Sequence, residues 1–440
     1  MSDVESPRRL LGPWSASAIV VASMIGVGLF TTSGYALADL GTRPRVLMAW
    51  VVGGVVASMG ALSYAAIARR YPESGGEYHY LAKMLHPFAG FLAGWISLLA
   101  GFTAPMAAAA LGLQAYLAPS LGWSTEGRGL ATAAILLACL QHGFRVRGGA
   151  RVQNLIVGIK LIGLFGFLLY GAIALNDAPL ETIDSTAPGT FPVTAFAVSL
   201  VWISFAYSGW NATVYIAGEV RDPQRNLQRS LLGGCVLVTL LYLALNALFL
   251  YSAPIEALAG KADVAAIAAE HLGGSVFQSG VRLLIGLALL TSISAMMMIG
   301  PRVYARMAED GLFPAFFKSQ NGSFRHAIVL QTVLALCVLW WSQLASLLGY
   351  IGFTLGLSTA ATVTAMLVHR RREDPSLWHI VGYPWLPMLF ILSVLGSSTF
   401  LVLRSPTQAM WGLITVTSGI PIYGFMRRRQ NAASSKRSQP

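Results

Sequence analysis

Two short stretches inside apolar segments, and one charged side chain that lies between them in the chain, are the residues of this sequence that could do chemistry. The first stretch is Ala22-Ser23-Met24-Ile25-Gly26-Val27-Gly28-Leu29-Phe30. It sits within residues 13–40, which are apolar over more than the roughly 20 residues a membrane span needs, yet contain Gly26, Gly28 and Gly34. Glycine lowers the cost of leaving the helix. Backbone that unwinds there exposes N–H and C=O groups where no water satisfies them, which is tolerable only around a cavity or a ligand. Free N–H groups suit a carboxylate and free carbonyls suit an ammonium, so a zwitterionic amino acid matches both halves. Glycines in membrane helices also serve close packing, and Gly26 with Gly28 does not by itself decide between the two readings.

The second stretch is Phe205-Ala206-Tyr207-Ser208-Gly209-Trp210-Asn211, inside the apolar residues 191–218. Gly209 can unwind, and Asn211 supplies a polar side chain at that depth. The charged side chain is Lys160. Counting from a helix start near Gly149 at 1.5 Å per residue places it about 15 Å deep, close to the bilayer midplane. A lysine there costs about 2.5 to 3.5 kcal/mol even on lenient scales. All 18 Asp and Glu residues fall in expected loops or tails, so no carboxylate is at hand. Lys160 must then be neutral or hold backbone carbonyls that another segment leaves unpaired.

These residues need membrane helices to position them. The chain is 55% hydrophobic and 11% charged, with a mean hydropathy of +0.63, which excludes an ordinary soluble protein and predicts an all-α polytopic membrane protein. About twelve apolar segments follow one another, among them 46–68, a long one at 80–117, 152–175 and 276–299. The two interrupted segments are the first and sixth. They are thus corresponding members of two five-helix halves, the pattern of inverted repeats that build a site from two discontinuous helices. The net charge of +12 follows the positive-inside rule and not a nucleic-acid surface: with the N-terminus in the cytoplasm, Arg69-Arg70, Arg145 to Arg151, Arg370 to Arg372 and Arg427 to Arg429 share the inner side. Both termini are expected to be cytoplasmic. Cys139, Cys235 and Cys337 lie in apolar segments without paired spacing, and the seven histidines are scattered, so neither a metal site, a cofactor nor an acid–base constellation is expected. Between the first two helices and the third, Pro72-Glu73-Ser74-Gly75-Gly76-Glu77-Tyr78 forbids a continuous helix, and forms either a connector or a plug at the inner mouth of a pathway.

Taken together, Ile25-Gly26-Val27-Gly28-Leu29-Phe30, Pro72 to Tyr78, Arg151-Val152-Gln153-Asn154, Lys160, Phe205 to Asn211, Glu219-Val220-Arg221-Asp222-Pro223, and Gly300-Pro301-Arg302 leading to Asp310-Gly311-Leu312-Phe313-Pro314 resemble the amino acid, polyamine and organocation transporter superfamily. Within it, they look like the prokaryotic relatives of the L-type amino acid transporters. The resemblance implies a leucine-transporter-like fold of five plus five inverted helices with two peripheral ones, helices one and six being discontinuous. It divides the chain into a cytoplasmic segment at 1–12, a first repeat at 13–176, a second at 190–370, two further helices at 380–429 and a disordered cytoplasmic tail at 430–440. By position it also implies the site. The substrate carboxylate would meet the backbone amides of Val27 and Gly28 beside Gly26, and the ammonium would meet carbonyls at Met24, Phe205 and Ser208. The ring of Phe205 matches an aromatic that closes over substrate, and Lys160 matches a lysine that stands where sodium-coupled relatives bind sodium.

Departures from the family pattern sharpen the expectation. Val27 stands where the family often has serine, which removes a hydroxyl but no backbone amide. Asn211 stands where arginine-exchanging members carry glutamate, which disfavours cationic substrates. The loop 119–129 lacks the cysteine that L-type members use to join a glycoprotein subunit, so no disulfide-linked partner is expected. Thr291, Ser292 and Ser294 can contact substrate or an ion, or can bond their own helix backbone. The expected function is sodium-independent transport of neutral L-amino acids across the plasma or inner membrane, by exchange or proton symport. The alternatives are an amino-acid sensor without flux and an antiporter of polyamines or cationic amino acids.

Overall fold

A computed structural model of the chain describes residues 11–143, 149–177, 190–319 and 323–437. Residues 1–10 of the N-terminal segment expected at 1–12 and much of the basic cluster at 145–151 therefore lie outside the described residues. These are 84% helix without a strand, so nearly every backbone polar group is satisfied inside its own segment, as a bilayer requires.

Helices α1 (Pro13–Met24) and α2 (Val27–Leu40) are bent by 47° across Ile25 and Gly26. There follow α3 (Arg43–Arg70), α4 (Gly76–Met84), α5 (Pro87–Ile96) and α6 (Ala104–Leu117), the last two joined through a π-helical stretch at Ser97–Thr103. The middle of the chain forms α7 (Gly129–Gly143), α8 (Gly149–Asp177), α9 (Val193–Ala206) and α10 (Pro223–Tyr251). A short α11 (Ile255–Leu258) precedes the long α12 (Val264–Glu309), and α13 (Arg325–Trp341), α14 (Leu344–Arg370), α15 (Trp385–Arg404) and α16 (Pro406–Arg437) complete it. Among the described residues eight helical stretches are long and apolar enough to cross a membrane, α5 to α6 counting as one. The bent pair α1 and α2 makes a ninth if it is one crossing. The apolar α7, α9 and α13 are shorter.

Three segments differ from the sequence expectation. The apolar run at 80–117 is not one helix: α4 stops at Met84 and α5 restarts at Pro87, which has no N–H to give and is suited to a first helical turn, while the His86 ring accepts from the Phe88 N–H at 3.1 Å. Ahead of the apolar segment at 276–299 the chain is already helical, forming α11 and the first turns of α12 and turning at Gly274 in the left-handed region (φ 72°). This arm lies on α2. The Gly260 N–H donates to the Gly34 carbonyl at 2.8 Å, a Cβ on Gly34 would come within 1.9 Å of the Lys261 carbonyl oxygen, and Arg282 holds Asp263 at 2.8 Å. Finally, α16 continues to Arg437, past the start of the tail expected at 430, because Ala432, Ala433 and Lys436 favour propagating a helix already begun.

The packing centre is where α1, α2, α3, α9 and α10 meet. Trp50, Tyr207 and Tyr242 are fully or almost fully buried there, with ring centroids 5.3 Å apart for Trp50 and Tyr242 and 5.2 Å for Tyr207 and Tyr242. Such pairs contribute about 0.5 to 1.5 kcal/mol each beyond their area burial. They fix α3 and α10 against the two helix ends described next.

Candidate functional site at the meeting of two helix ends

Helix α1 ends at Met24 and Ile25, whose backbone is extended, and α2 starts at Val27 after an equally extended Gly26 (φ −138°). Any residue adopts that backbone, so φ alone does not demand glycine at 26. No side chain caps α2, and the N–H groups of its first turn at Val27 and Gly28 face out of the helix end. Helix α9 ends beside them. A Cβ on Gly28 would fall 2.6 Å from Ala206 Cα, so Gly28 permits α2 and the end of α9 to touch. Gly209 does for the return turn what Gly28 does for the helix: it is left-handed (φ +98°), and a Cβ there would meet the Ser23 carbonyl oxygen at 2.8 Å. Gly28 is thus a packing glycine by geometry, while Gly26 has open space around it, its nearest neighbour being the Met24 oxygen at 3.9 Å.

The electrostatics of this junction are one-sided for each partner. The α1 and α9 ends bring carbonyls and the α2 start brings N–H groups, so partial negative and positive charges meet at the junction. Two side chains tie the carbonyl ends. Tyr242 of α10 donates to the Met24 carbonyl at 2.6 Å and lies 3.0 Å from the Ala206 carbonyl, offering one proton to two acceptors. Lys160 of α8, 3% exposed, donates from Nζ to the Ile25 carbonyl, which the end of α1 leaves without an intrahelical partner. A cation at a helix C-terminus is also favoured by the helix dipole.

The remaining residues predicted for the site are placed as follows. Phe205 is buried, and its carbonyl accepts from the Ser208 N–H at 2.9 Å. Thr291 and Ser292 turn their hydroxyls onto the Ala288 carbonyl at 2.6 and 3.2 Å, and Ser294 meets His142 at 2.8 Å. The Asn211 side-chain amide donates to Glu77 Oε1 at 2.5 Å, on the segment after α3. Glu77 corrects the expectation that every acid sits in a solvated loop. It is 4% exposed in the first turn of α4 and accepts from Tyr64 at 3.0 Å and from Tyr215 as well as from Asn211. Gly75 and Gly76, both at positive φ, bring it there, and a Cβ on Gly76 would strike the Tyr215 ring at 2.3 Å.

The amino acid permease family matches residues 11–425. The chain belongs to that family. Its relatives include the serine/threonine exchanger SteT of Bacillus subtilis (strain 168), 26% identical over 96% of this chain and 98% of its own length. The large neutral amino acids transporter small subunit 2 of Rattus norvegicus is 28% identical over 94% of this chain and 80% of that protein. The Asc-type amino acid transporter 1 of Mus musculus is 26% identical over 94% and 81% respectively. All three are transporters of amino acids by name, and this permease is accordingly a multi-span membrane protein of an amino acid transporter family.

Sequence reasoning missed two residues of this permease, Tyr242 at the junction and Glu77 in the cluster beside it. Tyr242 had a signal: with Asn246 four residues on, it forms a polar face on the otherwise largely aliphatic α10, and Asn246 indeed bonds the Tyr242 carbonyl at 2.8 Å. Glu77 had none beyond its place after Gly75-Gly76, since a carboxylate in a basic, proline-containing connection reads as solvated.

The glycines allow a direct test. Gly28→Val is expected to cost about 1 to 3 kcal/mol of stability by overpacking against the Ala206 backbone, and to reduce uptake with it, whereas Gly26→Ala should fold as well as the parent. Size-exclusion profiles and uptake rates of the two variants check this. Equal behaviour of the pair would remove the packing assignment of Gly28.

Proposed function

We propose that this chain moves neutral L-amino acids by alternating access, independently of sodium, as an exchanger or a proton-coupled symporter. The observation that carries the reading is the meeting of the α1, α2 and α9 ends around Gly26 and Gly28. There the amides of Val27 and Gly28 would receive the substrate carboxylate, and the carbonyls of Met24, Phe205 and Ser208 would receive its ammonium. Phe205 would close over the bound molecule. Each carbonyl oxygen has two lone pairs, so bonds to Tyr242 and to the Ser208 N–H leave acceptor capacity for a ligand.

In this reading α1 with α2, and α9 with the turn after it, are the two discontinuous members of inverted repeats at 13–176 and 190–370. With α7, α9 and α13 as further crossings, the chain has about twelve spans, both termini face the cytoplasm, and the membrane is the plasma or inner membrane. Substrate neutrality is supported by the state of Glu77: its carboxylate is already engaged by three donors and is not offered to a cationic side chain. Serine and threonine in the name of one relative, and large neutral amino acids in that of another, agree with this class. The loop 119–129 carries no cysteine, so the chain is proposed to work without a disulfide-linked subunit.

The test is uptake of labelled amino acids by the purified chain in proteoliposomes, with every amino acid, putrescine and agmatine as competitors. Neutral amino acids should compete strongly and the polyamines weakly. Saturable binding without flux would identify a sensor, and a polyamine that outcompetes every amino acid would overturn the substrate assignment.

A further inference from the structure

A groove of about 720 Å³ runs along one face of α10, away from the junction of helix ends. Its lining changes character along the helix. At the start of α10 it is Gln224, Arg225, Gln228 and Arg229, joined by Arg69 from the last turn of α3, whose guanidinium donates to Gln228 at 3.3 Å. One to three turns further on it is Leu232, Val236, Leu237 and Leu240, and the last three are 46 to 61% exposed. The α10 positions recur at four-residue spacing, so one face of that helix carries two guanidinium groups, joined by the third from α3, near one membrane boundary and an aliphatic strip leading toward the hydrocarbon.

We propose that this groove binds one anionic phospholipid, the phosphate held by Arg69, Arg225 and Arg229 and an acyl chain laid on the aliphatic strip. Charge and length both fit. Arginine is the residue whose planar fork matches a phosphate, and basic pockets between membrane helices take anionic headgroups. The strip below is of no use to a soluble anion. Gly233 keeps the groove open at the change of character, because nothing but the Ser17 hydroxyl lies near its missing Cβ, at 3.9 Å. Ser17 belongs to α1, so the lipid would lie against the helix whose end forms the junction. The proposal does not depend on which molecule the protein transports.

The experiment uses the purified full chain in detergent, with phosphatidylglycerol, phosphatidylcholine or inorganic phosphate added, and reads bound lipid by native mass spectrometry and the melting temperature in parallel. The parent should retain phosphatidylglycerol and not phosphatidylcholine. The double variant Arg225→Gln/Arg229→Gln should bind it roughly 30-fold more weakly, each arginine near an anionic lipid being worth about fivefold. Gly233→Leu should keep the melting temperature of the lipid-free parent yet lose retention, because its Cβ meets nothing nearer than 3.9 Å and the rest of the side chain extends into the open groove. Equal retention of phosphatidylglycerol by the parent and both variants, equal retention of the two lipids, or an equal shift from inorganic phosphate alone would each overturn the proposal.

Discussion

Lys160→Ala is expected to lower transport by about 100-fold while the protein still reaches the membrane and purifies as a single species. The parent Nζ donates to the Ile25 carbonyl at the end of α1, within a site where the lysine is 3% exposed. Removing it deletes a charge-assisted hydrogen bond and leaves that carbonyl without a partner, at about 1.5 to 3 kcal/mol. The loss should fall on transport more than on folding, because the bond is made to a helix end that would have to move in the proposed alternating access, whereas the helices themselves are packed through Trp50, Tyr207 and Tyr242. In the proposed mechanism the ammonium does electrostatically what sodium does in sodium-coupled relatives. Obligatory exchange follows if the lysine keeps its proton through the cycle, and proton symport follows if it releases it. Flux is to be measured in parent and variant with and without sodium, and with and without an imposed pH gradient. Parent transport that requires sodium, or a variant as active as the parent, would falsify the assignment.

A second large effect is expected at Glu77. Its two oxygens take three donors: Tyr64 and Asn211 on Oε1, Tyr215 on Oε2. The cluster joins α3, the first turn of α4 and the segment after α9, so it holds the loop that follows α3 onto the turn that follows α9. Glu77→Ala leaves the buried Tyr64 and the half-buried Asn211 and Tyr215 without this acceptor and should destabilise the protein by about 3 kcal/mol, since an orphaned buried group costs about 1 to 3 kcal/mol and the half-buried ones can in part turn to water. Glu77→Gln keeps the volume and one acceptor oxygen for Tyr64 and Asn211, and its NH2 can donate to the Tyr215 hydroxyl oxygen, so it should stay within about 1 kcal/mol of the parent. Melting temperatures in detergent separate the two, and uptake kinetics show whether the retained fold also retains turnover. If alanine melted no earlier than glutamine, the cluster would have no part in holding the loop.

The sequence by itself determined the membrane class, because a bilayer leaves each helix to satisfy its own backbone and thereby writes long apolar segments into the chain. It also located a break in a helix and a buried charge along the chain. Gly26 and Gly28 marked the neighbourhood in which α1 gives way to α2, and a count of residues at fixed rise put Lys160 deep among apolar neighbours, properties local enough to be read from spacing. The tertiary structure alone decided what these groups meet. Gly28 and Gly209 look alike as letters, yet one is needed for contact with Ala206 and the other for a left-handed turn against Ser23, a distinction that exists only once α9 lies on α1 and α2. Asn211 faces Glu77, and Glu77 is buried, because two positive-φ glycines fold a polar connection under Tyr64 and Tyr215 from residues far apart in sequence. Tyr242 likewise acquires its role from two helix ends that are more than 180 residues apart at Met24 and Ala206, and no local pattern encodes a meeting of that kind.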